Sequence, residues 1–91
     1  MNHTPLEWTP LFDAMRATPD AWIPTTEAMY WEMLEALPPR AMACGAFLVG
    51  EPNHHDHNGR AVYACFRRNG ESIEARYLTH SEFVQLSQVT A

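Results

Sequence analysis

The sequence predicts an α+β fold of order α-α-β-β-β-α, in which helices pack on a three-stranded antiparallel meander. Apolar residues recur at helical spacing up to residue 37, and short apolar runs alternate with turn residues from residue 41 onward. Thr79 and Glu82 then form a capping box, which predicts a last helix from His80 to about Val89. With 91 residues, 46% of them hydrophobic, the chain is expected to form one small domain over residues 1–91.

The N-terminal segment offers two helix starts. Thr4, Pro5 and Glu7 follow the capping-box pattern, with proline at the first helical position. Pro10 would break a helix begun at Pro5, so we expect a short first turn and then a helix from about Pro10 to Ala17. Its apolar stripe would comprise Trp8, Leu11, Phe12 and Met15.

A second helix is expected to start after Thr25 or Thr26 and to end at about Ala36, where Leu37 precedes two prolines. Its core-facing arc would comprise Met29, Tyr30, Met33, Leu34, Ala36 and Leu37, and the opposite arc Glu27, Glu32 and Glu35. Trp31 falls on the polar side, and two explanations stay open. Either it packs under the first helix, against Leu11 or Met15, or it is an exposed anchor with an acidic rim. In the second case the residues Glu27, Trp31, Glu32 and Glu35 would bind a protein partner with a basic surface.

The apolar run from Ala41 to Gly50 is expected to form one strand covered on both faces. Asn69 and Gly70 predict a two-residue type I′ turn between the next two strands. The resulting register pairs Arg68 with Glu71, Phe66 with Ile73, Ala64 with Ala75, and Val62 with Tyr77. In a simple meander the strand over 41–50 lies at a bare apolar edge, which predicts a homodimer through this strand or the adjacent helix surface.

The segment EPNHHDHNGR, residues 51–60, would connect the first two strands. Adjacent residues of an extended chain point in opposite directions, so His54 and His55 could not easily converge on one metal ion, whereas His55 and His57 could. A third ligand would have to come from elsewhere, such as His3 or His80. A solvated loop is the simpler interpretation, and replacing His54, His55 and His57 together by serine is then expected to change the melting temperature little.

Charge and composition argue against several functions. Residues 1–37 carry six acids against Arg16 alone, and an acidic half repels phosphate, so nucleic acid is not expected as a partner. No apolar run is long enough for a membrane span and no secretory signal is evident, so a cytoplasmic protein is expected. Four arginines would cluster at one hairpin end, namely Arg60, Arg67, Arg68 and Arg76. Cross-strand pairing to Glu71 and Glu74 is their favoured use.

No catalytic constellation or phosphate-binding loop is present in the sequence, so an enzyme is not expected, nor is a cofactor. Cys44 and Cys65 are expected inside apolar strands, where they serve as small buried hydrophobic residues.

The run MYWEMLEALPPRAMACGAFLVGEP, followed by AVYACF, EARYLT and SEF, resembles a bacterial family of unknown function found in small plasmid- and phage-associated proteins. The resemblance spans roughly residues 29–83 and implies no activity, cofactor or catalytic residue. It does imply a mobile-element setting. The sequence is thus interpreted as a non-enzymatic binding protein, in its sharpest form an inhibitor or regulator of a bacterial complex such as a defence complex. The alternative is a metal-binding or metal-responsive protein that uses His54 to His57.

Overall fold

Three helices and five strands make up the part of the chain that the computed structural model describes, residues 7–42 and 45–88. In chain order they are α1 (Trp8–Ala17), β1 (Ile23–Pro24), α2 (Glu27–Ala36), β2 (Arg40–Ala41), β3 (Phe47–His55), β4 (Ala61–Asn69), β5 (Ser72–Leu78) and α3 (His80–Ser87). The predicted α+β class is confirmed, and β1 and β2 are two short additions to the predicted layout. No helix in these ranges is long and apolar enough to span a membrane.

The strands form one antiparallel sheet in the order β1-β5-β4-β3-β2. Its centre, β3-β4-β5, is a three-stranded antiparallel meander, as expected, although its first strand spans Phe47–His55 and not 41–50. The two additions lie at the edges, where Ile23 pairs with Ala75 and Arg40 pairs with Leu48. Each has only two residues, which is too short for an alternating pattern to be visible in the sequence.

The prediction of one strand over 41–50 is wrong. The chain reverses between β2 and β3, where the Met42 N–H donates to the Ala46 carbonyl at 2.9 Å and Gly45 adopts a φ of 85°. A uniformly apolar run does not distinguish a straight strand from a strand that folds back on itself. Strand β2 pairs with Phe47 and Leu48 and so covers the start of β3, which leaves a shorter free edge than the one from which the sequence predicts a homodimer.

The β4–β5 hairpin turns one residue later than predicted. Asn69 pairs with Ser72, so the loop is Gly70-Glu71, and Gly70 takes the positive φ of 64°. Glycine at the first loop position is the pattern of a type II′ turn rather than type I′. The predicted pairs are therefore wrong: the observed partners are Phe66 with Ala75, Ala64 with Tyr77, Arg67 with Glu74, and Cys65 with Arg76. Each partner moves by two positions, an even number, so every side chain keeps its predicted face.

Both faces of the sheet are covered, whereas the sequence predicted helices on one. Helices α1 and α2 pack on the first face, over a cluster that includes Met15, Tyr30, Phe66 and Tyr77. Helix α3 covers the second face, over Met42, Leu48, Cys65, Leu78 and Phe83. Gly50 permits this close approach, since a Cβ there would lie 2.8 Å from the Phe83 ring. Cys65 is buried as predicted, and Cys44 lies outside the described residues.

The helix starts follow local hydrogen bonding. Thr26 caps α2 by accepting from the Met29 N–H, and Thr79 forms the predicted capping box of α3. Helix α1 begins at Trp8, two residues before the predicted start. Pro10 is tolerated there because N–H groups of a first helical turn have no partner within the helix. The capping pattern of Thr4 and Pro5 lies outside the described residues.

Candidate protein-binding surface

Two large hydrophobic side chains of the described chain are strongly exposed, Trp31 at 52% and Phe47 at 50%. They line the same cavity of about 420 Å³, between α2 and the start of β3. We name this cavity the Trp31–Phe47 groove; its main lining residues are Tyr30, Trp31, Leu34, Pro39, Phe47 and Arg68. Singly exposed apolar side chains are ordinary on protein surfaces, but two large ones on one groove are typical of an interaction site.

Tyr30 fixes the groove to the core. It is only 3% exposed, and its hydroxyl donates to the Phe47 carbonyl at 3.4 Å, which joins α2 to β3. The next residue, Trp31, is rotated by about 100° around the helix and so leaves the core-facing arc. Its ring meets Tyr30 edge-on, with ring centroids 6.4 Å apart. The groove thus has the buried ring of Tyr30 at its floor and the exposed ring of Trp31 at its side.

Charge is distributed unevenly around the groove. Arg68, its cationic residue, binds Glu27 at 2.8 Å and lies 5.4 Å from the Tyr30 ring centroid. Burial raises the pKa of Tyr30, which keeps the phenol neutral, although Arg68 acts in the opposite direction. Glu32 and Glu35 are exposed on α2 and have no ion-pair partner within residues 7–42 and 45–88. The exposed side of α2 is therefore acidic.

Helix α2 carries all four residues predicted to bind a partner, but on two sides. Trp31 lines the groove and Glu27 reaches its rim through Arg68, whereas Glu32 lines a separate cavity with Trp8 and Phe12. Glu35 is exposed. The alternative in which Trp31 packs under α1 is wrong, since half of its surface is exposed and it lies outside the cluster that holds Leu11 and Met15.

Sequence reasoning missed Phe47, the second exposed aromatic residue. Phe47 shares a face with Val49, which is fully buried under α2, but it lies two residues nearer the strand end. The run AMACGAFLVG is apolar throughout, so no alternation marks Phe47 as exposed. Phe47 follows the reversal between β2 and β3, and half of its surface is exposed there.

Half of the histidine segment, residues 51–55, is part of the sheet. Strand β3 extends to His55, and only residues 56–60 connect it to β4. His54 is half-buried: Nε2 lies 3.2 Å from Glu51 Oε2, Nδ1 lies 3.4 Å from the Tyr77 hydroxyl, and the ring packs 4.9 Å from Phe12. The prediction of a solvated loop is wrong for this residue, because a bulge between Glu51 and His54 turns the imidazole inward.

Asp56 organises the connection itself. Its carboxylate is buried and accepts from the Arg60 and Asn58 N–H groups at 2.9 Å each, while Arg60 Nε donates to the other oxygen at 3.1 Å. The Arg60 N–H is the main cause that lowers the pKa of Asp56, so the carboxylate stays charged. The connection is therefore a tight turn around a buried carboxylate and not the solvated loop predicted from the sequence.

His55 and His57, the predicted metal ligands, are exposed on either side of Asp56. His54 is engaged by Glu51, and His80 lies 3.1 Å from the Tyr63 hydroxyl. In the described part of the chain, no three His, Cys, Asp or Glu side chains are grouped to hold a metal ion. Metal binding at His55 and His57 stays a prediction from the sequence.

The predicted basic cluster at one hairpin end does not form, because Arg60 and Arg68 lie at opposite ends of β4. The expected cross-strand pairing is confirmed for Arg67, which lies 2.9 Å from Glu74. The other three arginines pair outside the hairpin: Arg60 with Asp56, Arg68 with Glu27, and Arg76 with Glu82. Burial raises the pKa of the Cys65 thiol, which leaves it protonated.

Comparison with protein-family models, with curated proteins and with solved structures finds no match for this chain. The resemblance over residues 29–83 stays an expectation, and the candidate site rests on geometry and charge.

Proposed function

We propose that this protein is a small non-enzymatic binding protein, and that the Trp31–Phe47 groove receives apolar side chains of a protein partner. The observation that carries the proposal is the shared position of Trp31 and Phe47, each about half exposed, on one groove of about 420 Å³. Tryptophan is enriched among the residues that dominate binding energy at interfaces. The buried ring of Tyr30 beneath Trp31 holds the exposed indole in place.

Charge favours a partner with basic residues beside its apolar ones. The single arginine of the groove is already bound to Glu27, whereas Glu32 and Glu35 are exposed along α2. Complementary charge speeds encounter and suppresses wrong partners more than it adds affinity. For the same reason nucleic acid, with its phosphate backbone, is disfavoured at this surface.

The setting in which such a protein would act follows from the sequence resemblance. A mobile-element protein that works by binding fits an inhibitor or regulator of a bacterial complex in the cytoplasm, such as a defence complex. The small size, the acidic binding helix and the exposed aromatic pair support this form of the proposal.

The test uses matched baits in a capture experiment from bacterial lysate, followed by reconstitution with the purified captured protein. We expect the double variant Trp31→Ser/Phe47→Ser to lose a partner that the wild type binds. Gln85→Ala, an exposed change on α3 at the opposite face of the sheet, is the control and should retain it. A partner held equally by the double variant would contradict the proposal.

Sedimentation of the same proteins tests whether a second copy of this chain occupies the Trp31–Phe47 groove. The homodimer predicted from the sequence would appear as a concentration-dependent increase in mass. If the increase is lost in Trp31→Ser/Phe47→Ser and no other protein binds, the groove serves self-association, and the proposal of a foreign partner is wrong.

A further inference from the structure

A second cavity, of about 370 Å³, lies on the other side of α2. We name it the α1–α2 cleft; its lining residues are Trp8, Phe12, Glu32, Met33, Ala36 and Glu51. Four of these are apolar and two are carboxylates that come from different elements, α2 and β3. This cleft differs from the Trp31–Phe47 groove, whose charged lining residue is an arginine.

The aromatic side of the cleft is held in a fixed position. Trp8 and Phe12 stack with ring centroids 5.8 Å apart and an interplanar angle of 22°. Trp8 also meets the buried Phe66 ring edge-on at 5.7 Å, and Phe12 stacks on Tyr77 at 6.3 Å. Because Trp8 and Phe12 are already packed against core rings, a ligand that binds their exposed surface causes little further loss of side-chain entropy.

The two carboxylates are placed differently. Glu51 is half exposed and its Oε2 lies 3.2 Å from His54 Nε2, which restrains it at the rim. Glu32 is exposed and has no ion pair within the described ranges. Among the described residues, no arginine lines this cleft. An anion would be repelled here, whereas a cation on an apolar stem would meet aromatic rings and carboxylates together.

We infer that the α1–α2 cleft receives an arginine side chain of the protein that occupies the Trp31–Phe47 groove. This inference rests on the proposed function, since it names a residue type of the same partner. Trp31 and Glu32 are consecutive, so a partner segment that crosses the exposed side of α2 reaches both cavities. Arginine fits better than lysine because its planar guanidinium stacks on aromatic rings and binds carboxylates through several N–H groups.

The experiment uses a small probe and does not need the partner. Acetyl-Gly-Arg-Gly-amide is titrated into the labelled protein while NMR follows the indole N–H of Trp8, and the citrulline peptide serves as an uncharged probe of similar shape. We expect saturable shifts at Trp8 with the arginine peptide, and binding at least about five-fold weaker with citrulline, as partly exposed ionic and cation–π contacts imply. Raising the salt concentration should weaken arginine binding further.

The variants separate this inference from the proposed function. Glu51→Gln, which keeps the shape and a partner for His54, should weaken arginine binding about two- to five-fold, and so should Glu32→Gln. Glu35→Gln, on the same helix but outside the cleft lining, should not. Trp31→Ser should remove partner capture and leave arginine binding at Trp8 unchanged. Equal binding of arginine and citrulline, or no shift at Trp8, would overturn the cleft assignment even if the groove binds its partner.

Discussion

The histidine segment is conspicuous in the sequence, but its structure gives it internal roles. The Trp31–Phe47 groove is inconspicuous in the sequence, but its structure leaves apolar surface exposed. Residues 51–60 have the most unusual composition of the chain, yet the fold uses His54 and Asp56 internally, through Glu51, Tyr77 and Arg60. The groove comes from ordinary apolar runs, yet it leaves two large aromatic side chains half exposed.

This difference teaches that contacts already made are a better guide to function than residue type. A histidine whose two ring nitrogens face a carboxylate and a phenol has its polar groups satisfied by the protein itself. A tryptophan with half of its surface in water still has apolar area to bury. The comparison would fail if the histidine segment were dispensable for folding or if the groove residues were essential to it.

The largest effect should come from the residue on which His54 packs. Tyr77 is 3% exposed, stacks on Phe12 and lies under the Arg16 guanidinium at 5.7 Å. Tyr77→Ala should lower the free energy of unfolding by about 3–5 kcal/mol, measured by urea denaturation, because it leaves a cavity beneath α1. Tyr77→Phe isolates the hydroxyl and should cost about 1 kcal/mol. A loss below about 1 kcal/mol for Tyr77→Ala would show that this face is not packed as described.

Acid should weaken the fold through the turn at Asp56. The pKa of Asp56 is held below its ordinary value of 3.8 by the Arg60 N–H, and that of Glu82 below 4.5 by the Thr79 N–H. A carboxylate whose pKa is lowered by folding stabilises the protein above its unfolded-state pKa, and the stabilisation is lost as the pH falls through the folded-state pKa. The free energy of unfolding should therefore decline from about pH 5 downward.

Asp56→Asn is the matched variant for this titration. It should be less stable than the wild type at pH 7, since Arg60 loses its anionic partner, and its stability should fall less steeply below about pH 5. A Trp31→Ala protein should retain the wild-type acid dependence. An unchanged acid dependence in Asp56→Asn would contradict the assignment to this turn.

The three histidines of the segment should separate into one structural residue and two surface residues. His54→Ser removes the ring from Phe12 and the contacts with Glu51 and Tyr77, so it should cost about 1–2 kcal/mol in urea denaturation. The double variant His55→Ser/His57→Ser should stay within about 0.5 kcal/mol of the wild type. Equal effects of the two proteins would restore the solvated loop predicted from the sequence.

Local signals in the sequence predicted the local structure well. Thr26 and Thr79 cap helices because their hydroxyls satisfy N–H groups of the first turn, a feature that depends on neighbours three residues away. The meander and the sidedness of β4 and β5 also follow from short-range patterns. The position of the β4–β5 turn does not follow from them, because both Asn69-Gly70 and Gly70-Glu71 can form a two-residue loop.

Features that depend on distant segments could not be predicted in this way. The two-residue strands β1 and β2 exist only because β5 and β3 offer them free edges. The inward turn of His54 requires the bulge in β3 and the ring of Tyr77, which lies 23 residues away. The exposure of Phe47 is likewise a feature of the tertiary structure. The sequence predicts the acidic side of α2 but not the groove beside it.

Apart from the exposed histidines, the smallest effect on stability is expected at the groove, and this measurement tests the account most directly. Trp31→Ala and Phe47→Ala should each lower the free energy of unfolding in urea by about 1 kcal/mol or less, because half of each side chain is already in water. Trp31→Ala also gains from the higher helix propensity of alanine. Since Tyr30 still joins α2 to β3 in both variants, the sheet and helices should be retained. A loss of 3–5 kcal/mol for Trp31→Ala, the value typical of a core tryptophan, would mean that Trp31 belongs to the core and is not free to bind a partner.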